Sequence, residues 1–159
     1  MLTHEAHEFP ACYDKDSEVL ILGSFPSVKS RAMGFYYGHP QNRFWRVLAA
    51  IYGEEVPMDV ESRRAFVLRH HLALYDSLEA CEIHGSSDAS ITNVVPADLN
   101  QILDNAPIKK ILLNGKTAAR CFFEYQKIKT EAVVLPSTSS ANASFSFEDL
   151  LDAWRKALL

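Results

Sequence analysis

Short apolar runs recur along the chain, each stopped by a glycine, a proline or an amide, and this pattern predicts buried parallel strands. The first covers residues 19–22 and breaks at Gly23. A second covers residues 72–77, a third residues 111–113, closed by Asn114-Gly115, and a fourth residues 132–135, followed by Pro136. Between them lie stretches of helical periodicity. Residues 44–52 put Trp45, Leu48 and Tyr52 on one face and end at Gly53; a second helix follows Asp59, a capping residue, to about residue 70. A short helix is predicted over 98–105 and a longer one over 116–125. Ser146 and Asp149 form a capping box for the last, whose core stripe is Phe147, Leu150, Leu151, Trp154 and Leu158. Strands alternating with helices argue an α/β fold, with a small parallel sheet covered on both sides. Right-handed crossovers bring together the loops after Leu22, Leu113 and Leu135 and the one near Asn93, which sits in the β-branched run 90–96.

The chain has 159 residues, 48% of them hydrophobic, and is expected to fold as one domain. Its polar, acidic start, MLTHEAHEFP, does not resemble a signal peptide, and no apolar run approaches the ~18 residues of a membrane span, so a cytoplasmic protein is expected. Residues 1–18 hold five acids and no core pattern; they predict a mobile tail docked at Phe9-Pro10, with His4 and His7 short of the ligands a metal needs. The cysteines, Cys12, Cys81 and Cys121, lie far apart and argue reduced thiols, not a metal cluster or a disulfide framework.

Charge changes the picture at one place. The net charge is −4, yet no Asp or Glu occurs between Glu18 and Glu54, a window holding Lys29, Arg31, Arg43 and Arg46. An acid-free, basic, aromatic segment after a buried strand predicts a face that meets an anion. The loop from Pro136 to Ala143 carries no charge but many hydroxyls, a composition suited to phosphate oxygens and equally to turns and caps. Asn42 reads as a cap for the helix that follows it. Arg63, Arg64 and Arg69 read as a solvated face.

The segment GSFPSVKSRAMGFYYGHPQNRFW, with ITNVVP, LLNG and LPSTSSANA further on, resembles the uracil-DNA glycosylase superfamily. More narrowly it is similar to the DNA-deoxyinosine branch. The resemblance implies a three-layer α/β/α sandwich around a four-stranded parallel sheet, and excision of a deaminated base from DNA without cofactor or metal by a monomer. Gly23, Ser24, Phe25 and Pro26 match the first catalytic loop, with Phe25 where many members carry a water-activating Asp or Asn. The resemblance then assigns the catalytic role to Asn42. It assigns base stacking to Phe44 with Tyr37 or Tyr36 as a wall, and base reading to Asn93. It assigns DNA-backbone contacts to Ser137, Thr138, Ser139 and Asn142 in the second loop. Ser27 and Lys29 in the first loop are expected to meet the backbone as well, and His39, which precedes a proline, either contacts a phosphate or shapes a turn.

The expected chemistry suits these residue types. Cleaving an N-glycosidic bond creates a cationic sugar and an anionic base. Backbone N–H donors of residues 24–27 can stabilise the base, and an amide can position without acting as a strong base. The base must first leave the stack, which calls for an aromatic floor and phosphate grips. No lysine lies inside GSFP or PSTSSANA, so simple hydrolysis without strand cleavage is expected; Lys29, further along the first motif, is the one residue that could change this. Two alternatives stand beside this. One is a DNA- or nucleotide-binding module of the same fold without activity. The other is a serine esterase using Ser24, disfavoured because no G-x-S-x-G elbow is present and no histidine follows His84.

Overall fold

The computed structural model describes residues 1–159. Its centre is a parallel four-stranded sheet of β2 (Val19–Gly23), β3 (Leu72–Asp76), β6 (Lys110–Asn114) and β7 (Glu131–Leu135), in the order β3-β2-β6-β7. The two inner strands are continuous apolar runs because both their faces are covered: Leu20, Ile21, Leu22, Ile111, Leu112 and Leu113 are fully buried. The four predicted sheet strands are all present, with no end displaced by more than one residue; β3 is one residue shorter than predicted and the others are slightly longer.

The connections set the layers. The chain leaves β2 through α1 (Val28–Met33), α2 (Phe44–Tyr52) and α3 (Val60–Arg69) and returns as the neighbouring strand β3. It leaves β6 through α5 (Lys116–Tyr125) and returns on the opposite side as β7. Right-handed crossovers running in opposite directions place α3 and α5 on opposite faces. The last helix, α6 (Phe147–Leu158), packs on α2. Helix ends follow the predicted signals. Gly53 closes α2 at φ 65°, and Asp59 with Ser62, and Ser146 with Asp149, form capping boxes for α3 and α6. Of the arginines of α3, Arg64 and Arg69 are exposed, as a solvated face requires, and Arg63 is half-buried. Arg64, Arg69 and Arg63 also lie 5.1–5.5 Å over the rings of Phe35, Phe66 and Trp45 respectively.

A second, antiparallel sheet was not expected. It has the order β1-β4-β5, from β1 (Thr3–Ala6), β4 (Leu78–His84) and β5 (Ser87–Pro96). The acids of β4 point outward between buried Leu78, Cys81 and Ile83, and shifts of pairing at Ala80 and Glu82 blur the alternation that marks a strand. The expected mobile tail is corrected here: β1 pairs with β4 from Thr3 to Ala6, and its polar composition is that of an edge strand. The expected position of Asn93 is corrected too. It lies exposed in β5, at φ 48°, donating to Glu82, and does not join the strand-end loops.

β2 and β6 are adjacent, and their connections leave to opposite faces of the sheet. Open α/β sheets form a crevice at such a point, beyond the carboxyl ends of the strands. A short α4 (Asn100–Leu103) completes the chain order.

Candidate active site

A cavity of about 290 Å³ opens at that crevice. Its walls come from the end of β2 and the loop after it (Gly23 to Ser27), from Tyr37, His39 and Asn42, from Asp76 and Asn114 at the ends of β3 and β6, and from Ser137 to Ala141 after β7. Ser86 and Asp88 of the β4–β5 hairpin take the place expected for the region of Asn93.

Asn42 is held from two sides. Its Oδ1 accepts the backbone N–H of Phe44 at 2.9 Å and the hydroxyl proton of Thr138 at 2.8 Å. The N–H of Phe44 can only donate, so the atom facing it is the amide oxygen and not the nitrogen. The amide NH₂ has no partner within the protein, and Asn42 lines the cavity. The residue stands one position before Arg43, the N-cap of α2, instead of at the expected cap position; it still accepts the N–H of the first helical residue, and it presents a hydrogen-bond donor.

Thr138 is locked in turn. Asn114 accepts its backbone N–H at 3.0 Å and donates to its hydroxyl at 3.1 Å. A chain of hydrogen bonds therefore runs from the end of β6, through the second loop, to the first. The expected DNA-backbone role of Thr138 does not fit this geometry: the residue is 1% exposed, and its hydroxyl already donates once and accepts once.

Arg43 secures the same loop. Its guanidinium donates to the carbonyls of Phe145, Ser139 and Asn142 at 2.6, 3.1 and 3.1 Å, and its backbone N–H donates to Thr138 O at 3.0 Å. Arg31 pairs with Glu5 and Gly85 O. These two cations of the acid-free window serve the fold rather than a bound anion. Lys29 is exposed, and neither it nor Asn142 lines the cavity; the Asn142 amide donates to Ser137 O. Ser27 caps α1. His39 lines the cavity beside Ser137 and Ser139, and its Nδ1 accepts the N–H of Gln41.

The aromatic residues divide differently from expectation. Phe44 is 0% exposed and does not line the cavity. Tyr37 lies between them, stacked on Phe44 at 3.9 Å and 21°. The surface offered to a base is therefore Tyr37, together with Phe25, and Phe44 backs it. Trp45 is core, as expected.

Two carboxylates missed by the sequence reading line the cavity. Asp88 accepts the Ser24 hydroxyl at 2.9 Å. Desolvation pushes the Asp88 carboxyl above the ordinary range, against the Ser24 hydrogen bond, and the Asp76 charge adds to the rise. Ser24 thus faces a carboxylate, not an imidazole, which removes support for the esterase alternative. Asp76 ends β3 opposite Gly23, where a Cβ would lie 2.5 Å from Asp76 Oδ1 and 3.3 Å from the Tyr37 hydroxyl. Only glycine fits there. A signal for Asp76 was available: an acid closing a fully apolar strand whose end faces the shared edge. His7, which pairs with Asp76 Oδ2 at 2.8 Å, had no such signal, because it follows a polar edge strand.

Residues 10–158 match the uracil DNA glycosylase superfamily. A hypoxanthine DNA glycosylase of Methanosarcina barkeri is 34% identical over 155 residues, covering 94% of this chain and 95% of the relative. One of Methanosarcina acetivorans is 34% identical over 140 residues, covering 87% and 89%. A solution NMR structure from Methanosarcina acetivorans, described as a candidate uracil DNA glycosylase, superposes with a TM-score of 0.80 at 32% identity, covering 94% of each chain. The chain belongs to the uracil DNA glycosylase superfamily, and within it is similar to the hypoxanthine DNA glycosylases of Methanosarcina.

Proposed function

We propose that the protein is a monofunctional DNA glycosylase that hydrolyses the N-glycosidic bond of a flipped, deaminated nucleotide, with hypoxanthine as the preferred base ahead of uracil and xanthine. The curated relatives that carry the name hypoxanthine DNA glycosylase cover almost the whole chain and support this choice of base. The observation that carries the reading is Asn42: its oxygen is held twice, and its NH₂ is left to the cavity.

A departing purine gathers negative charge on its ring nitrogens and its exocyclic oxygen. Fixed N–H donors stabilise that charge without reorganising. Asn42 supplies one such donor, and the backbone N–H groups of Ser24, Phe25 and Ser27, which find no acceptor within the protein, supply others. The base lies against Tyr37, braced by Phe44. The sugar becomes cationic, and the acidic wall of Asp76 and Asp88 suits it. Ser139 and Ser140, at the cavity edge, and His39 grip the flanking phosphates. The whole chain acts as one domain and as a monomer. No helix is long and apolar enough to cross a membrane.

The test is base release from duplexes carrying deoxyinosine, deoxyuridine or deoxyxanthosine, read by strand scission with and without hot alkali. The expected result is scission only after alkali, fastest for deoxyinosine. Binding of these duplexes without release of any base would replace the enzyme with a binding module.

A further inference from the structure

His7 is buried in an arrangement that packing alone does not explain. Its side chain is 1% exposed, and the rings of Phe9, Tyr75 and Tyr36 lie 4.5, 4.7 and 5.8 Å from it. Nε2 is paired with Asp76 Oδ2 at 2.8 Å, and a carboxylate there calls for the proton on Nε2. Nδ1 is buried without any partner. An unpaired buried polar atom costs about 1–3 kcal/mol, and a well-packed apolar pair in place of a buried ionic one is commonly no less stable.

What the pair gains is a fixed carboxylate in the cavity wall. Asp76 is held through Oδ2. Its Oδ1 accepts no hydrogen bond within the protein and lies against Gly23, the residue whose missing Cβ makes room for it. The Tyr37 hydroxyl lies on the same side of Gly23 and is buried, with the Asn114 side chain as a polar neighbour but no hydrogen bond of ordinary geometry. Burial, and then the Asp76 charge, hold that phenol protonated, so the corner presents an acceptor and a donor together. That is the complement of a water molecule.

We propose that Asp76 is a catalytic residue of the hydrolysis and that His7 is its positioning residue. The proposal rests on the glycosylase reading above. Asp76 Oδ1 accepts a hydrogen bond from the attacking water. The water oxygen forms a bond to the sugar C1′, and the C1′–N bond breaks with its electron pair passing to the base. Asp76 takes the water's proton and passes it through solvent to the released base. His7 Nε2–H keeps Oδ2 occupied, so that Oδ1 faces the water.

The experiment is single-turnover excision of deoxyinosine by wild type, Asp76→Asn, His7→Phe and His7→Gln. It is accompanied by melting temperatures and by affinity for a duplex carrying 2′-fluoro-deoxyinosine, whose glycosidic bond resists cleavage. Asp76→Asn is expected to lower the rate by about 100-fold or more with affinity retained. His7→Phe is expected to lower the rate, and His7→Gln, whose amide can donate in place of Nε2–H, to recover most of it. If Asp76→Asn does not fold, the two His7 variants read the same relay. An Asp76→Asn enzyme at the wild-type rate overturns the catalytic role. Equal rates in His7→Phe and His7→Gln overturn the positioning role. Wild type inactive on every duplex removes the reaction itself, and both roles with it.

Discussion

Thr138 donates its hydroxyl proton to Asn42 Oδ1 at 2.8 Å, so the second loop sets the orientation of the amide in the first. The same hydroxyl accepts from Asn114, a residue 9% exposed at the end of β6. Replacing Thr138 by Val keeps the shape and removes both bonds. Asn114 is then left with an unpaired buried donor, and the expected destabilisation is about 1–3 kcal/mol. The excision rate is expected to fall by about 10-fold or more, because small displacements of a positioned group are amplified in rate. Thr138→Ser should retain both properties. A Thr138→Val protein with the wild-type rate would show that the lock is dispensable.

The stack of Tyr37 on Phe44 separates two functions that the motif alone assigns to one aromatic. Phe44 is 0% exposed, so Phe44→Ala should lower stability by about 3–5 kcal/mol, as cavity-forming core truncations do. Tyr37→Phe keeps the ring and removes an unpartnered hydroxyl, so its stability should hold while its excision rate falls. Thermal melts and single-turnover assays on both variants separate the roles. The assignment is wrong if Phe44→Ala leaves the melting temperature unchanged.

Asp88 gives a pH signature. The residue is exposed overall, but its carboxyl is turned to the cavity wall, and desolvation there, ahead of the Asp76 charge, pushes it above the ordinary carboxylate value, so folding favours its neutral form. Its contribution to stability is complete below the unfolded pKa and is lost as pH rises through the folded one. At about pH 7 Asp88→Asn is therefore expected to be slightly more stable than wild type, by less than a fully buried carboxyl would give because solvent screens this exposed residue, and the difference should shrink as pH falls toward about 4. Melting temperatures across that range decide it. A variant less stable than wild type at neutral pH would mean that the bond from Ser24 outweighs desolvation.

Much of this site was legible in the sequence. The parallel strands announce themselves as uninterrupted apolar runs, and the glycines and amides that stop them mark the ends where the cavity forms. Gly23, Asn114 and the start of the hydroxyl loop follow from that logic; the resemblance carried by the first and second loops supplied the family and the role of Asn42, and the need to hold a flipped base pointed to Tyr37 or Tyr36. What was hidden lay in the second sheet. β1 is polar because it is an edge, and β4 alternates imperfectly because its pairing shifts, so neither produced a pattern. His7 and Asp88 reach the cavity region from that sheet and were missed with it. Phe44 was misplaced for another reason. Spacing along a helix start tells which residues share a face, but not that Tyr37 folds back to cover one of them.

The central claim is that Asn42 works through its NH₂ and not through its oxygen. Asn42→Asp tests it most directly, because the carboxylate still accepts from Phe44 N–H and from Thr138 while the donor is gone. Single-turnover excision of deoxyinosine by this variant should fall by about 100-fold or more, the loss typical of removing one preorganised donor. Its melting temperature should stay close to that of wild type. An Asn42→Asp enzyme that releases hypoxanthine as fast as wild type would contradict the account, since the residue would then serve as an acceptor or base.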